Sequence, residues 1–125
     1  MNFKIKKLVE KAGFFLKEGK TGKHFREQEN TEIQISYMQS ENLKNVIEFW
    51  FKPGKKIRIN SVSIQVAEFT DKISGDMKTV YENDNWYLLA GYEGIECGQV
   101  WSFNFEGKID DEGVEFISSQ KCKIN

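Results

Sequence analysis

From residue 31 onward, apolar and polar side chains alternate with a period of two. Ile33, Ile35 and Tyr37 are separated by Gln34 and Ser36, the pattern of a strand with one face in a core and the other in water. Val46–Phe51 is denser, Val-Ile-Glu-Phe-Trp-Phe, and predicts a strand covered on both sides, with Trp50 pointing away from Phe49 and Phe51. Pro53-Gly54 then supplies a turn, proline fixing φ at the first corner and glycine easing the next. Ile57 and Ile59 resume the alternation, but Val62, Ile64 and Val66 carry it at even positions. That change of parity near Asn60-Ser61 predicts a bulge or a break.

Residues 70–76 read as a polar loop, Thr79–Tyr81 as a short strand and residues 82–85 as a turn cluster. Trp86–Ala90 is apolar and strand-like, and Gly91, Gly94 and Gly98 loosen the chain after it. Trp101, Phe103 and Phe105 alternate with Ser102, Asn104 and Glu106. Asp110-Asp111-Glu112-Gly113 is a hairpin-type connection, and Val114–Ile124 is the last strand. Seven or eight short strands with regular turn signals predict an antiparallel sandwich or barrel. With no ten-residue helical pattern between the strands, a parallel α/β sheet is not expected.

The N-terminus breaks the period. Ile5, Leu8, Val9, Ala12 and Leu16 follow the spacing of one helical face, with Lys6, Lys7, Glu10, Lys11 and Lys17 opposite. This predicts an amphipathic helix. Phe3 and Ile5 also alternate with Lys4 and Lys6, which is the competing strand reading. The expectation is one domain over residues 1–125: a basic helix over 1–18, a polar connector over 19–30 and an acidic β-sandwich over 31–125. Two stretches, Lys52-Pro53-Gly54 before Ile57–Val66 and Val100-Trp101-Ser102-Phe103-Asn104-Phe105, resemble immunoglobulin-like and arrestin-type sandwiches. The resemblance implies an immunoglobulin-like β-sandwich and, being one of fold, implies little about function. The Cys…Trp…Cys order of antibody domains is absent, because Cys97 and Cys122 both lie in the last third.

Charge sharpens this division. Residues 1–26 hold eight Lys or Arg against two Glu, a balance of +6, and the other 99 residues carry 10 against 17, or −7. Such asymmetry bears on partners and association rates rather than on fold. With 39% hydrophobic and 14% aromatic residues and a single proline, the chain has the composition of a folded domain, not of a disordered or linker segment. The first twenty residues lack an apolar core of seven, and no Asn-x-Ser/Thr acceptor occurs. A cytoplasmic protein is expected, and in that setting two cysteines 25 positions apart read as small buried hydrophobes rather than a disulfide.

No catalytic constellation emerges, and an enzyme is not expected. His24, the sole histidine, falls in the polar connector rather than after a strand, where a general base is poorly held. Gly13 and Gly19-Lys20-Thr21 enclose five residues instead of the four of a phosphate-binding loop. One His and two distant Cys do not make a zinc set. The carboxylates Asp71 and Asp76, Glu82 and Asp84, and Asp110, Asp111 and Glu112 match no calcium-loop spacing. No metal or cofactor is therefore expected.

Three binding surfaces remain. An acidic sandwich surface with Asp110, Asp111 and Glu112 would serve a protein partner, in the manner of an accessory, regulatory, inhibitor or immunity-type module, and this is the leading expectation. Trp50, Trp86 and Trp101, with Tyr37, Tyr81, Tyr87 and Tyr92, would stack sugars or other small ligands if exposed, although core packing is what large aromatics usually do. Lys4, Lys7 and Lys11 on the polar face of the basic helix would meet nucleic acid or an anionic membrane. The apolar stripe of the same helix would dock on the sheet or pack in a homodimer.

Overall fold

The computed structural model describes residues 5–10, 20–21, 33–74, 79–80, 85–109 and 113–125. Ten β segments occur among them: β1 (Lys6–Glu10), β2 (Lys20–Thr21), β3 (Ile33–Gln39), β4 (Val46–Pro53), β5 (Ile57–Val66), β6 (Phe69–Ser74), β7 (Thr79–Val80), β8 (Asn85–Glu93), β9 (Val100–Ile109) and β10 (Val114–Lys123). They form two antiparallel sheets. The first has the order β1-β8-β4-β3, with β2 paired to the start of β8; the second has the order β10-β9-β5-β6, with β7 paired to the start of β5.

The alternation in the sequence becomes the two faces of each sheet. Along β5 the side chains run buried and exposed in turn until Ser61 and Val62, both buried. There the pairing with β9 slips by one residue between Ile59 and Ser61. This bulge is the change of parity, and it keeps Ile57, Ile59, Val62, Ile64 and Val66 on the inner face. Opposite Ile59 lies Gly107, where an added Cβ would collide with the carbonyl oxygen of Arg58. The backbone of β5 approaches too closely at the bulge for any side chain at that position.

Between the sheets a cluster of aromatic rings packs among the aliphatic side chains of the core. Phe49 of β4 lies 4.8 Å from Trp101 and 4.9 Å from Phe103 of β9, centroid to centroid. Tyr92 of β8 is 5.1 Å from Trp101, and Phe51 is 5.5 Å from Phe105. These tilted geometries suit the ring quadrupoles and add to the burial of area. On its other face β4 is covered as well. Trp50, Trp86 and Leu88 are buried together against Met38, and the Trp50 indole donates to Glu48 Oε1 at 3.2 Å.

Several expectations are corrected. Residues 6–10 are a strand, not a helix: β1 pairs with β8, with a slip between Lys7 and Val9. Long-range pairing with a sheet edge outweighs the helical spacing, which local propensity alone supports weakly. Leu8, assigned to the buried stripe of the helix, is 40% exposed. Residues 1–4 and 11–18 of that helix lie outside the described residues. Lys20 and Thr21 of the polar connector pair with Trp86 and Asn85. Residues 70–74, expected as loop, belong to β6, and β8 runs through Gly91 to Glu93.

Substituting Gly107→Ala therefore forces the bulge to open and is expected to lower stability by about 2–4 kcal/mol. Denaturant titration checks this, and a midpoint equal to that of the unaltered protein would contradict the packing described at the bulge.

Candidate functional site

Polar side chains cross the outer face of the second sheet in rows. Lys72, Ser63, Asn104 and Ser119 lie side by side on β6, β5, β9 and β10, and Thr70, Gln65, Ser102 and Lys121 form the next row. These residues floor an open concavity of about 690 Å³. A third row, Ser74, Ser61, Glu106 and Ile117, continues the same face. It borders a second hollow of about 440 Å³ lined by Asn60, Glu106, Gly107, Glu115 and Ile117.

The alternation that buries Ile64 and Phe103 inward turns Ser63, Gln65, Ser102 and Asn104 outward. Ser119 Oγ donates to Asn104 Oδ1 at 2.8 Å, and Ser61 Oγ donates to Glu106 Oε2 at 3.3 Å. The floor presents hydroxyl and amide groups beside a larger share of apolar surface, and Lys72 and Lys121 bound it on opposite strands. Such a surface can donate and accept hydrogen bonds with a polar partner. Among the described residues, no group of three or more His, Cys, Asp or Glu side chains is arranged to hold a metal ion.

The residues singled out from the sequence go elsewhere. Trp50, Trp86 and Trp101 are buried, Tyr87 and Tyr92 likewise, and Tyr37 is half-buried. Among the described residues the aromatics thus form no exposed stacking platform. Trp101 keeps its indole N–H on Gln99 Oε1 at 3.3 Å. Lys7 reaches across the sandwich to Asp71 of β6, with Nζ 3.1 Å from Oδ2, and Tyr92 donates to the same oxygen at 2.7 Å. Asp71, weighed above as a calcium ligand, is held in this contact between the sheets. Lys4, Lys11, His24, Asp110, Asp111 and Glu112 lie outside the described residues.

Ser63, Gln65, Ser102, Asn104 and Ser119 were missed because each is the polar member of an alternating pair, a signal that marks solvent exposure and nothing more. Their rows depend on which strands are neighbours, which no local pattern encodes.

The chain matches no protein-family model, no curated protein and no solved structure. Among the described residues no helix is long and apolar enough to cross a membrane.

Both cysteines are free, Cys97 exposed in the turn before β9 and Cys122 buried in β10. Burial pushes the Cys122 thiol up from 9.0 to about 11, because a thiolate would be left poorly solvated. A thiol reagent at neutral pH should accordingly label Cys97 in the folded protein and Cys122 only after unfolding, as peptide mass spectrometry would show. The folded state holds the Cys122 proton more tightly than the unfolded chain does. Its contribution to stability is full below pH 9.0 and is lost as pH rises toward about 11. Equal labelling of both thiols in the native protein would contradict the burial of Cys122.

Proposed function

We propose that the chain is a non-enzymatic protein-binding module of the cytosol, an immunoglobulin-like sandwich that takes its partner on the outer face of the second sheet. The strand order supports the immunoglobulin-like reading. In that fold one sheet carries the antiparallel B and E strands side by side and the other carries C beside F and G. Here β4 and β8 are neighbours in the first sheet, and β10, β9 and β5 run in that order in the second. The N-terminal β1 occupies the edge beside β8. Two free thiols accord with a reducing compartment.

The polar, concave floor spanning β6, β5, β9 and β10 is the observation that carries the binding role. The absence of an exposed aromatic platform among the described residues weighs against stacking of sugars. The engagement of Lys7 with Asp71 removes one lysine from the basic surface proposed for nucleic acid or membrane.

The test is capture from a native lysate with the full chain and with the variants Ser63→Arg and Ser119→Arg, whose side chains are exposed and whose melting temperatures should be unchanged. A protein partner retained by the unaltered chain is expected to bind at least roughly tenfold more weakly to either variant, since a misplaced guanidinium blocks the floor. Retention at full strength by both variants would move the interface off this face.

A further inference from the structure

Among the described residues β10 is the terminal strand of the second sheet, ten residues long and paired in unbroken register with β9 from Val114 to Lys123. Natural sheets protect an edge of this length with proline, a bulge, charged side chains or a covering segment. β10 has no proline and no bulge. It also carries exposed apolar side chains, Val114 at 52% and Ile117 at 70%, the largest exposures among the large hydrophobics of the described residues.

The charges on its outer face are arranged in opposition rather than as a block. Glu115 lies near the start of the strand, and Lys121 and Lys123 lie near its end. When such a strand pairs antiparallel with a copy of itself about Ser118, residue positions related by that centre face one another. Glu115 of each copy then stands opposite Lys121 of the other, twice by symmetry. In the same register Ile117 faces Ser119 of the second copy, and the two Ile117 side chains meet diagonally across the axis. A shift by one residue would set outward side chains against inward ones.

We propose that β10 is a self-association edge at which two copies of this chain pair antiparallel, centred on Ser118. The interface is isologous, as a two-fold axis requires. It joins the two second sheets into one continuous sheet and sets the two polar faces side by side. The inference stands on the edge strand alone and is independent of what those faces bind.

Sedimentation velocity of the full chain over a concentration series at low salt tests it. The unaltered chain is expected to reach twice its 14.6 kDa mass as concentration rises. Glu115→Lys and Lys121→Glu each replace two attractive pairs by two repulsive ones. Each should weaken the dimer about tenfold or more while leaving the thermal melt unchanged. Mixed in equal amounts, the two variants should associate again, because every charge then meets its opposite across the axis. A chain that stays monomeric at all concentrations would overturn the proposal. So would a dimer indifferent to both reversals, or a mixture of variants that does not recover.

Discussion

Phe49 is the side chain on which the two sheets close. It stands on a central strand of the first sheet and meets Trp101 and Phe103 on a central strand of the second, with Tyr92 beside it at 6.1 Å. Removing a buried ring of this kind costs about 3–5 kcal/mol. A domain of this size holds a net stability of only about 5–15 kcal/mol. The aromatic wedge between β4 and β9 therefore decides whether the sandwich exists, and it also fixes the outer face. Inward Trp101, Phe103 and Phe105 oblige Ser102, Asn104 and Glu106 to point out, so the polar floor is the reverse side of the wedge.

Polar contacts between the sheets act on a smaller scale. Lys7, Asp71 and Tyr92 join β1, β6 and β8 at one side of the sandwich. The lysine and aspartate are 30% and 17% exposed, so solvent still screens the pair, and its worth is on the order of 1 kcal/mol. That is too little to hold the sheets together, but it is enough to orient a short edge strand. This contact also accounts for why a lysine in a basic N-terminal segment is committed within the fold.

Strand existence and facing were legible because a period of two leaves a direct trace: Ile33 to Tyr37, Trp101 to Phe105 and the parity change at Asn60 all describe real strands and a real bulge. Trp50 was likewise readable as the outward residue of a strand covered on both sides. The N-terminal segment misled because Ile5, Leu8 and Val9 satisfy a helical stripe, while the energy that decides the matter is pairing with β8, over 80 residues away. β6 was missed because Thr70, Asp71 and Lys72 are polar and only Phe69 and Ile73 hint at an edge strand. The candidate site was invisible for a different reason. Serine, glutamine and asparagine become a floor only when strand order places Ser63 beside Asn104 and Asn104 beside Ser119, and strand order is a long-range property.

Residue-by-residue amide hydrogen exchange is the most direct measurement of this account, since it reads the central strands without altering them. If the wedge between β4 and β9 holds the domain, the slowest amides are those of Phe49–Phe51, Val62–Ile64, Leu88–Leu89 and Phe103–Phe105, all exchanging through global unfolding. Amides in β5 or β9 that exchange as fast as those of the edge strands β6 and β1 would contradict it.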